Sequence, residues 1–198
     1  MITFRTSIFY TIILILTYLI YVYPFDILYY LIFKENFFKL SSLLFTVVSY
    51  LIIIFYFKSN NTFIPIKLFV NEGMGIGFIS FCVVNIGLLI DNFYSITSHV
   101  LGAFCFLSII IITIYSLING RFINLKIINI ISSKVDEQIR LIFISDTHLG
   151  SNSKKHLEKI LIKIKDLEFD LFLIGGDFID SSSFDLDDLD ILKNINKP

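Results

Sequence analysis

The chain has 198 residues, of which 56% are hydrophobic and only 17% are charged, and its formal net charge at pH 7 is −1. Ordinary soluble domains contain about 45–50% apolar and about 25% charged residues, so this composition excludes a purely soluble protein, a disordered chain and a disulfide-rich one. A net charge near zero provides no overall basic field, and we expect no nucleic-acid partner. Residues 1–120 carry five Lys or Arg and four Asp or Glu, whereas residues 121–198 carry eleven and thirteen. This split predicts a membrane region followed by a water-soluble region.

Four apolar runs in the first region contain no Lys, Arg, Asp or Glu. They cover about residues 7–23, 40–57, 73–90 and 100–118. A helix of about 20 apolar residues crosses the ~30 Å hydrocarbon core of a bilayer and satisfies its own backbone hydrogen bonds there. We therefore predict a multipass α-helical membrane region with four transmembrane helices over residues 1–120, and a lipid bilayer as its partner. The shorter apolar segment Ile27–Phe33 is predicted to lie at the membrane interface.

The basic residues around these spans predict the orientation of the chain. With four spans, both ends of the membrane region lie on one side. That side holds six basic residues: Arg5, Lys58, Lys67, Arg121, Lys126 and Lys134. The other side holds Lys34 and Lys39. Because cytoplasmic loops carry the excess of Lys and Arg, we expect a protein of the cell (inner, cytoplasmic) membrane whose soluble region lies in the cytoplasm.

The hydrophobic pattern changes after residue 120. Residues 121–138 are predicted to be a linker, in which Phe122–Ile131 is either a strand or the segment by which the chain leaves the membrane. Apolar runs at Ile139–Ser145 and Asp170–Ile174 are typical of buried strands, and a final helix is predicted after Ser181–Ser183. Between the two strands, one helical face carries five apolar residues: Leu157, Ile160, Leu161, Ile164 and Leu167. The alternation of strand and helix favours an α/β fold with a parallel sheet.

Both predicted strands end in acidic clusters. The first strand leads into Asp146-Thr147-His148, and the second leads into Gly175-Gly176-Asp177. Ligands of open parallel sheets bind beyond the carboxyl ends of the strands. In an extended segment Asp146 and His148 project to the same side, so their oxygen and nitrogen atoms can reach one cation, and Asp177 has two oxygens that can bridge two cations. Two metal ions about 3.5–4 Å apart are a recurring arrangement for phosphate ester hydrolysis.

The sequence D-T-H at 146–148 followed by G-G-D-F-I-D at 175–180 resembles the first two motifs of the calcineurin-like metallophosphoesterases. Several transmembrane helices ahead of such a domain are similar to a membrane-anchored bacterial branch of that family. The resemblance covers about residues 141–198. It implies that residues 139–198 are the N-terminal part of a layered α/β sandwich, and that the protein is a membrane-bound phosphoric ester hydrolase.

The resemblance also implies roles for individual residues. Asp146 and His148 would bind the first metal, and Asp177 would bridge both metals. Asp180 and Gly176 would support the loop beside the ligands without binding metal. A hydroxide held between the two metals would attack phosphorus in line. The mixed His and Asp ligands favour two divalent ions among Mn, Fe, Zn and Co.

The later motifs of the family are absent from these 198 residues. The next one is G-N-H-D/E, whose Asn binds metal and whose His assists the leaving group, so the catalytic residues are expected beyond Pro198 and are unknown here. We therefore expect an incomplete domain and an inactive chain. The alternative is a non-catalytic membrane protein with a degenerate phosphoesterase domain. A downstream reading frame that contains the missing motif would favour the enzyme. Neither the phosphate ester substrate nor the oligomeric state is predicted.

Overall fold

The computed structural model describes residues 4–36, 39–59, 63–134, 136–150, 152–179 and 186–195. The chain divides into two compact units, Met1–Gly120 and Arg121–Pro198. The first unit contains five helices among its described residues: α1 (Phe4–Tyr21), α2 (Tyr23–Phe33), α3 (Lys39–Lys58), α4 (Ile64–Tyr94) and α5 (Ser98–Asn119). The second contains β1 (Leu141–Ile144), α6 (Lys154–Ile164), β2 (Leu171–Ile174) and a 3₁₀ helix (Leu186–Asn194).

Four helical segments are long and apolar enough to cross a membrane, within the ranges given above. They are Arg5–Phe33, Lys39–Lys58, Ile64–Tyr94 and Ser98–Asn119. This confirms the prediction of four apolar helices. Large apolar side chains face outward from them, as at Leu43 (61% exposed) and Phe104 (65% exposed). A surface of this kind is unfavourable in water and suits a lipid environment.

The first candidate span is longer than the apolar run that predicted it. Helices α1 and α2 meet at Val22, and Pro24 lies in the first turn of α2, where its missing N–H removes no hydrogen bond. Leu28 and Leu31 of α2 are buried in a cluster with residues of α4 and α5. The segment Ile27–Phe33 is therefore part of a packed helix that continues the first candidate span, and its place at the membrane interface stays a prediction. Its neighbours in space, which the local pattern does not contain, account for this packing.

The helices pack through two apolar clusters and through close contacts at small residues. The first cluster joins α2, α4 and α5: Leu28, Leu31, Val84, Leu101, Cys105 and Ile109. The second joins the α1–α2 junction to α3 and α4: Tyr21, Val22, Ile53 and Val70. A Cβ atom at Gly77 would lie only 2.5 Å from the carbonyl oxygen of Ile20, so α1 and α4 approach here because Gly77 has no side chain.

The second unit contains a two-stranded parallel sheet. Leu141 pairs with Leu171 and Ile144 with Ile174. Helix α6 connects the strands, as a parallel pair requires, and buries Leu157, Ile160 and Ile164. These elements confirm the small parallel sheet of the predicted α/β region. The complete layered sandwich stays a prediction, because the structure describes two strands of it.

The segments that flank this sheet are less regular than predicted. Residues 122–131 contain no strand or helix, so the strand alternative for Phe122–Ile131 is not observed. The final helix is present as the 3₁₀ helix, whose predicted cap, Ser181–Ser183, lies outside the described residues. In that helix Lys193 Nζ lies 2.6 Å from Asp190 Oδ1, and this hydrogen bond and the charge of Lys193 lower the pKa of the Asp190 carboxyl.

Candidate metal centre

The candidate site is formed by the two loops that follow β1 and β2. Asp146 and His148 lie in the first loop and Asp177 in the second. Each of the three offers a ligand atom, and these atoms all lie within 4.8 Å of one another. The parallel register ends both strands at the same edge, because Ile144 pairs with Ile174. The structure thus brings together the three residues for which the sequence predicted metal binding.

Backbone hydrogen bonds continue from the sheet into both loops and hold them against each other. Four such bonds join them: Gly175 N to Ile144 O (2.7 Å), Asp146 N to Gly176 O (3.0 Å), His148 N to Asp177 O (3.0 Å) and Leu149 N to Phe178 O (2.9 Å). Each candidate ligand takes part in this ladder through its own backbone. Their mutual positions therefore depend on the main chain and not on flexible side chains alone.

All three candidate ligands have a left-handed backbone conformation. The φ angles are 55° at Asp146, 48° at His148 and 52° at Asp177. Asp and His tolerate this region better than most residues, but each such residue costs roughly 1–3 kcal/mol, and strained residues of this kind cluster at functional sites. The assumption of an extended segment in which alternate side chains point the same way was wrong. Asp146 and His148 converge on Asp177 with two left-handed residues flanking Thr147.

Thr147 and Asn152 support the first loop, although the motif analysis gave neither of them a role. Thr147 is only 1% exposed, and its Oγ1 donates a hydrogen bond to Phe178 O at 2.9 Å, which ties the first loop to the second. Asn152 Nδ2 donates to Thr147 O at 3.0 Å. The sequence feature that could have indicated this supporting role is the position of Thr147, a polar residue between two candidate ligands. We infer that it positions both of its neighbours.

Replacing Thr147 by Val tests this positioning role, because Val keeps the volume and removes the hydroxyl. We expect the second unit to lose about 1 kcal/mol of unfolding free energy, the typical net value of one hydrogen bond, and Mn²⁺ affinity to fall about 10-fold. Mn²⁺ titration and thermal unfolding measure the two effects. Thr147→Ser keeps the hydroxyl and serves as the control. Equal Mn²⁺ affinity in Thr147→Val and the unchanged chain would contradict the role.

The two glycines before Asp177 have different surroundings. A Cβ atom at Gly175 would lie 2.6 Å from Phe143 Cζ and 3.0 Å from Ser145 Cβ, whereas no atom would lie within 4 Å of a Cβ at Gly176. Another segment therefore approaches the backbone closely at Gly175 and not at Gly176. Gly176 contributes its carbonyl oxygen, which accepts from Asp146 N. Asp180 lies outside the described residues, so its supporting role stays a prediction.

The three side chains fit a divalent transition metal by their chemistry. Divalent transition-metal ions commonly bind carboxylates together with an imidazole, whereas calcium prefers sites made of oxygen ligands alone. Asp146 and Asp177 are exposed and His148 is half-buried, so an ion can enter from solvent. Two donors at about 2.1 Å from one ion are at most about 4.2 Å apart. Ligand atoms that are up to 4.8 Å apart therefore fit one ion after a small movement toward it, or two ions that share the site.

Residues 139–198 match the family model of the calcineurin-like phosphoesterases. The matched segment begins two residues before β1 and includes all three candidate ligands. This confirms, for the C-terminal part of the chain, the family resemblance that the two motifs indicated. No curated protein and no solved structure matches the chain significantly.

Proposed function

We propose that residues 139–198 form the metal-binding part of a phosphoesterase-type hydrolase domain, which four helices anchor in a membrane. One observation carries the proposal. Asp146, His148 and Asp177 converge at the carboxyl ends of two parallel strands, inside the segment that matches the calcineurin-like phosphoesterases. Divalent metal ions held there would supply Lewis acidity toward phosphoryl oxygens and would lower the pKa of a water molecule.

The chain's own residues would bind and position these ions. Asp146 and His148 would hold one ion, and the two carboxylate oxygens of Asp177 would let it contact a second. The backbone hydrogen bonds between the two loops would hold the three side chains in fixed relative positions. Asp146 and Asp177 face solvent, which leaves space in front of the ligands for a phosphate ester.

A non-catalytic membrane protein with a degenerate domain is the second candidate. It is favoured by the exposed apolar side chains of the sheet, such as Leu141 (55% exposed) and Phe143 (61% exposed). A functional phosphoesterase would cover such a surface, because exposed apolar strand faces promote association. Metal binding distinguishes the two candidates, since a degenerate domain has no need of it.

The experiment is a Mn²⁺ titration of the purified chain in detergent, with free Mn²⁺ followed by electron paramagnetic resonance. We expect saturable binding that is lost in the triple variant Asp146→Asn, His148→Ala, Asp177→Asn. The matched control replaces Asp136, His156 and Asp166 by Asn, Ala and Asn, which removes the same residue types outside the site. Binding that is equal in the two triple variants, or absent from the unchanged chain, would reject the metal centre and favour the non-catalytic protein.

We further propose that the second unit lies on the cytoplasmic side of the cell membrane. The positive-inside count supports this orientation, with six basic residues on one side and two on the other. Cysteines introduced at the exposed positions Glu35 and Ser132 test it, because the native Cys82 and Cys105 lie inside candidate spans. An impermeant maleimide should label Glu35→Cys in intact cells and Ser132→Cys only after permeabilisation. The reverse pattern would overturn the orientation.

A further inference from the structure

A groove of about 650 Å³ lies among the membrane helices, between the α1–α2 junction, the start of α3 and the first half of α4. Its volume falls within the range of about 300–1,000 Å³ that is typical of small-molecule sites. Its walls are mostly apolar, and Phe45, Phe69 and Ile76 contribute to them. The candidate metal ligands Asp146, His148 and Asp177 belong to the other unit of the chain.

One carboxylate lines this apolar groove. Asp26 Oδ1 accepts a hydrogen bond from Ser42 Oγ at 2.9 Å. Ser42 is the hydrogen-bonding partner of this carboxylate among the residues that the structure describes. A carboxylate accepts about four hydrogen bonds, so Asp26 keeps capacity for a further donor. Asp26 lies within the candidate span Arg5–Phe33, and carboxylates within such spans are rare and often functional.

The polar and apolar parts of the groove lie at different levels along the helices. Ser42 lies in the first turn of α3, which begins at Lys39. The aromatic rings of Tyr21 and Phe69 stack with centroids 5.1 Å apart, and Tyr21 packs in one cluster with Ile53, which lies further along α3 than Ser42. The groove therefore has its carboxylate at the level where α3 begins and its aromatic wall further along α3, which matches the order of head group and chain in a lipid.

Charge indicates which head group fits. Asp26 is complementary to a cation, and Lys39 lies one turn before Ser42 on the same face of α3, where it can meet an anion. We propose that this groove binds one acyl chain of a phospholipid whose head group carries a primary ammonium group, with the ammonium at Asp26 and the phosphate toward Lys39. This proposal rests on the membrane placement proposed above and not on the phosphoesterase assignment.

Tryptophan fluorescence tests the proposal directly, because the chain contains no Trp. Phe69→Trp places a reporter in the groove, and Ile76→Trp is a second reporter on α4. Leu68→Trp, at a neighbouring position that is 54% exposed and does not line the groove, is the matched control. Each variant is placed in phosphatidylcholine nanodiscs that contain an equal fraction of bromine-labelled phosphatidylethanolamine, phosphatidylcholine or phosphatidylglycerol.

We expect brominated phosphatidylethanolamine to quench both groove reporters at least about twofold more than brominated phosphatidylcholine, whose quaternary head group has no N–H donor. The control should be quenched equally by all three lipids. Adding Asp26→Asn should abolish the preference, whereas Asp91→Asn should not. Equal quenching of the groove reporters, a preference for phosphatidylglycerol, or a preference that survives Asp26→Asn would each overturn the proposal. An unquenched Leu68→Trp would show instead that the membrane placement itself has failed.

Discussion

Asp177→Asn is expected to weaken Mn²⁺ binding by more than about 100-fold, because this carboxylate is the candidate ligand that would contact a second ion in the proposed site. Even residues that only orient a metal ligand contribute about 10–100-fold to affinity. The amide of Asn is nearly isosteric but neutral, and it offers one oxygen where the carboxylate offers two. The backbone bond from His148 N to Asp177 O does not involve the side chain, so the loop should keep its fold. Mn²⁺ titration of the purified chain measures the change.

Two comparisons make this result specific to the site. Asp166→Asn removes the same charge from an exposed position just beyond α6 and should leave Mn²⁺ affinity unchanged. If Asp177 is shared between two ions, Asp146→Asn should reduce Mn²⁺ affinity but lower the number of bound ions per chain by less than Asp177→Asn does. Retained Mn²⁺ content in Asp177→Asn would refute the bridging assignment. Equal losses of stoichiometry in the two variants would favour a single ion.

Hydrolysis of bis-p-nitrophenyl phosphate by the 198-residue polypeptide with Mn²⁺ is expected to stay below about 0.01 s⁻¹, roughly 1,000-fold under the median enzyme turnover. The described residues bring three candidate protein ligands together, and in-line attack requires in addition groups that align the phosphate ester. The two-stranded sheet also exposes Leu141, Phe143 and Leu173, so the second unit should associate readily.

The assay needs a comparison that separates slow catalysis from contamination. The triple variant of Asp146, His148 and Asp177 provides the background rate in the same detergent. Turnover near 1 s⁻¹ that disappears in this variant would show that three ligands suffice for efficient hydrolysis. A rate that rises with the square of protein concentration would instead show that two chains complete one site.

Several features of this protein follow from its sequence alone. Runs of 17–19 residues without a charged side chain predicted the four apolar helices, because about 20 predominantly apolar residues are needed to cross the hydrocarbon core as a helix. The two short apolar runs that end at Asp146-Thr147-His148 and Gly175-Gly176-Asp177 predicted both strands and the three residues that converge. These predictions succeeded because parallel strands place their carboxyl ends at one edge, whatever the rest of the fold does.

Other features were decided by tertiary structure. Ile27–Phe33 becomes part of a packed helix because α4 and α5 cover Leu28 and Leu31, and neither neighbour is visible in the local pattern. Asp146 and His148 have a left-handed backbone, which would be unfavourable in an isolated strand. Hydrogen bonds with the second loop and the buried hydroxyl of Thr147 accompany this conformation. Residue types and spacing therefore determined which side chains make up the candidate site. The contacts between segments far apart in the chain determined how they meet, because strained conformations persist only where the surrounding structure holds them.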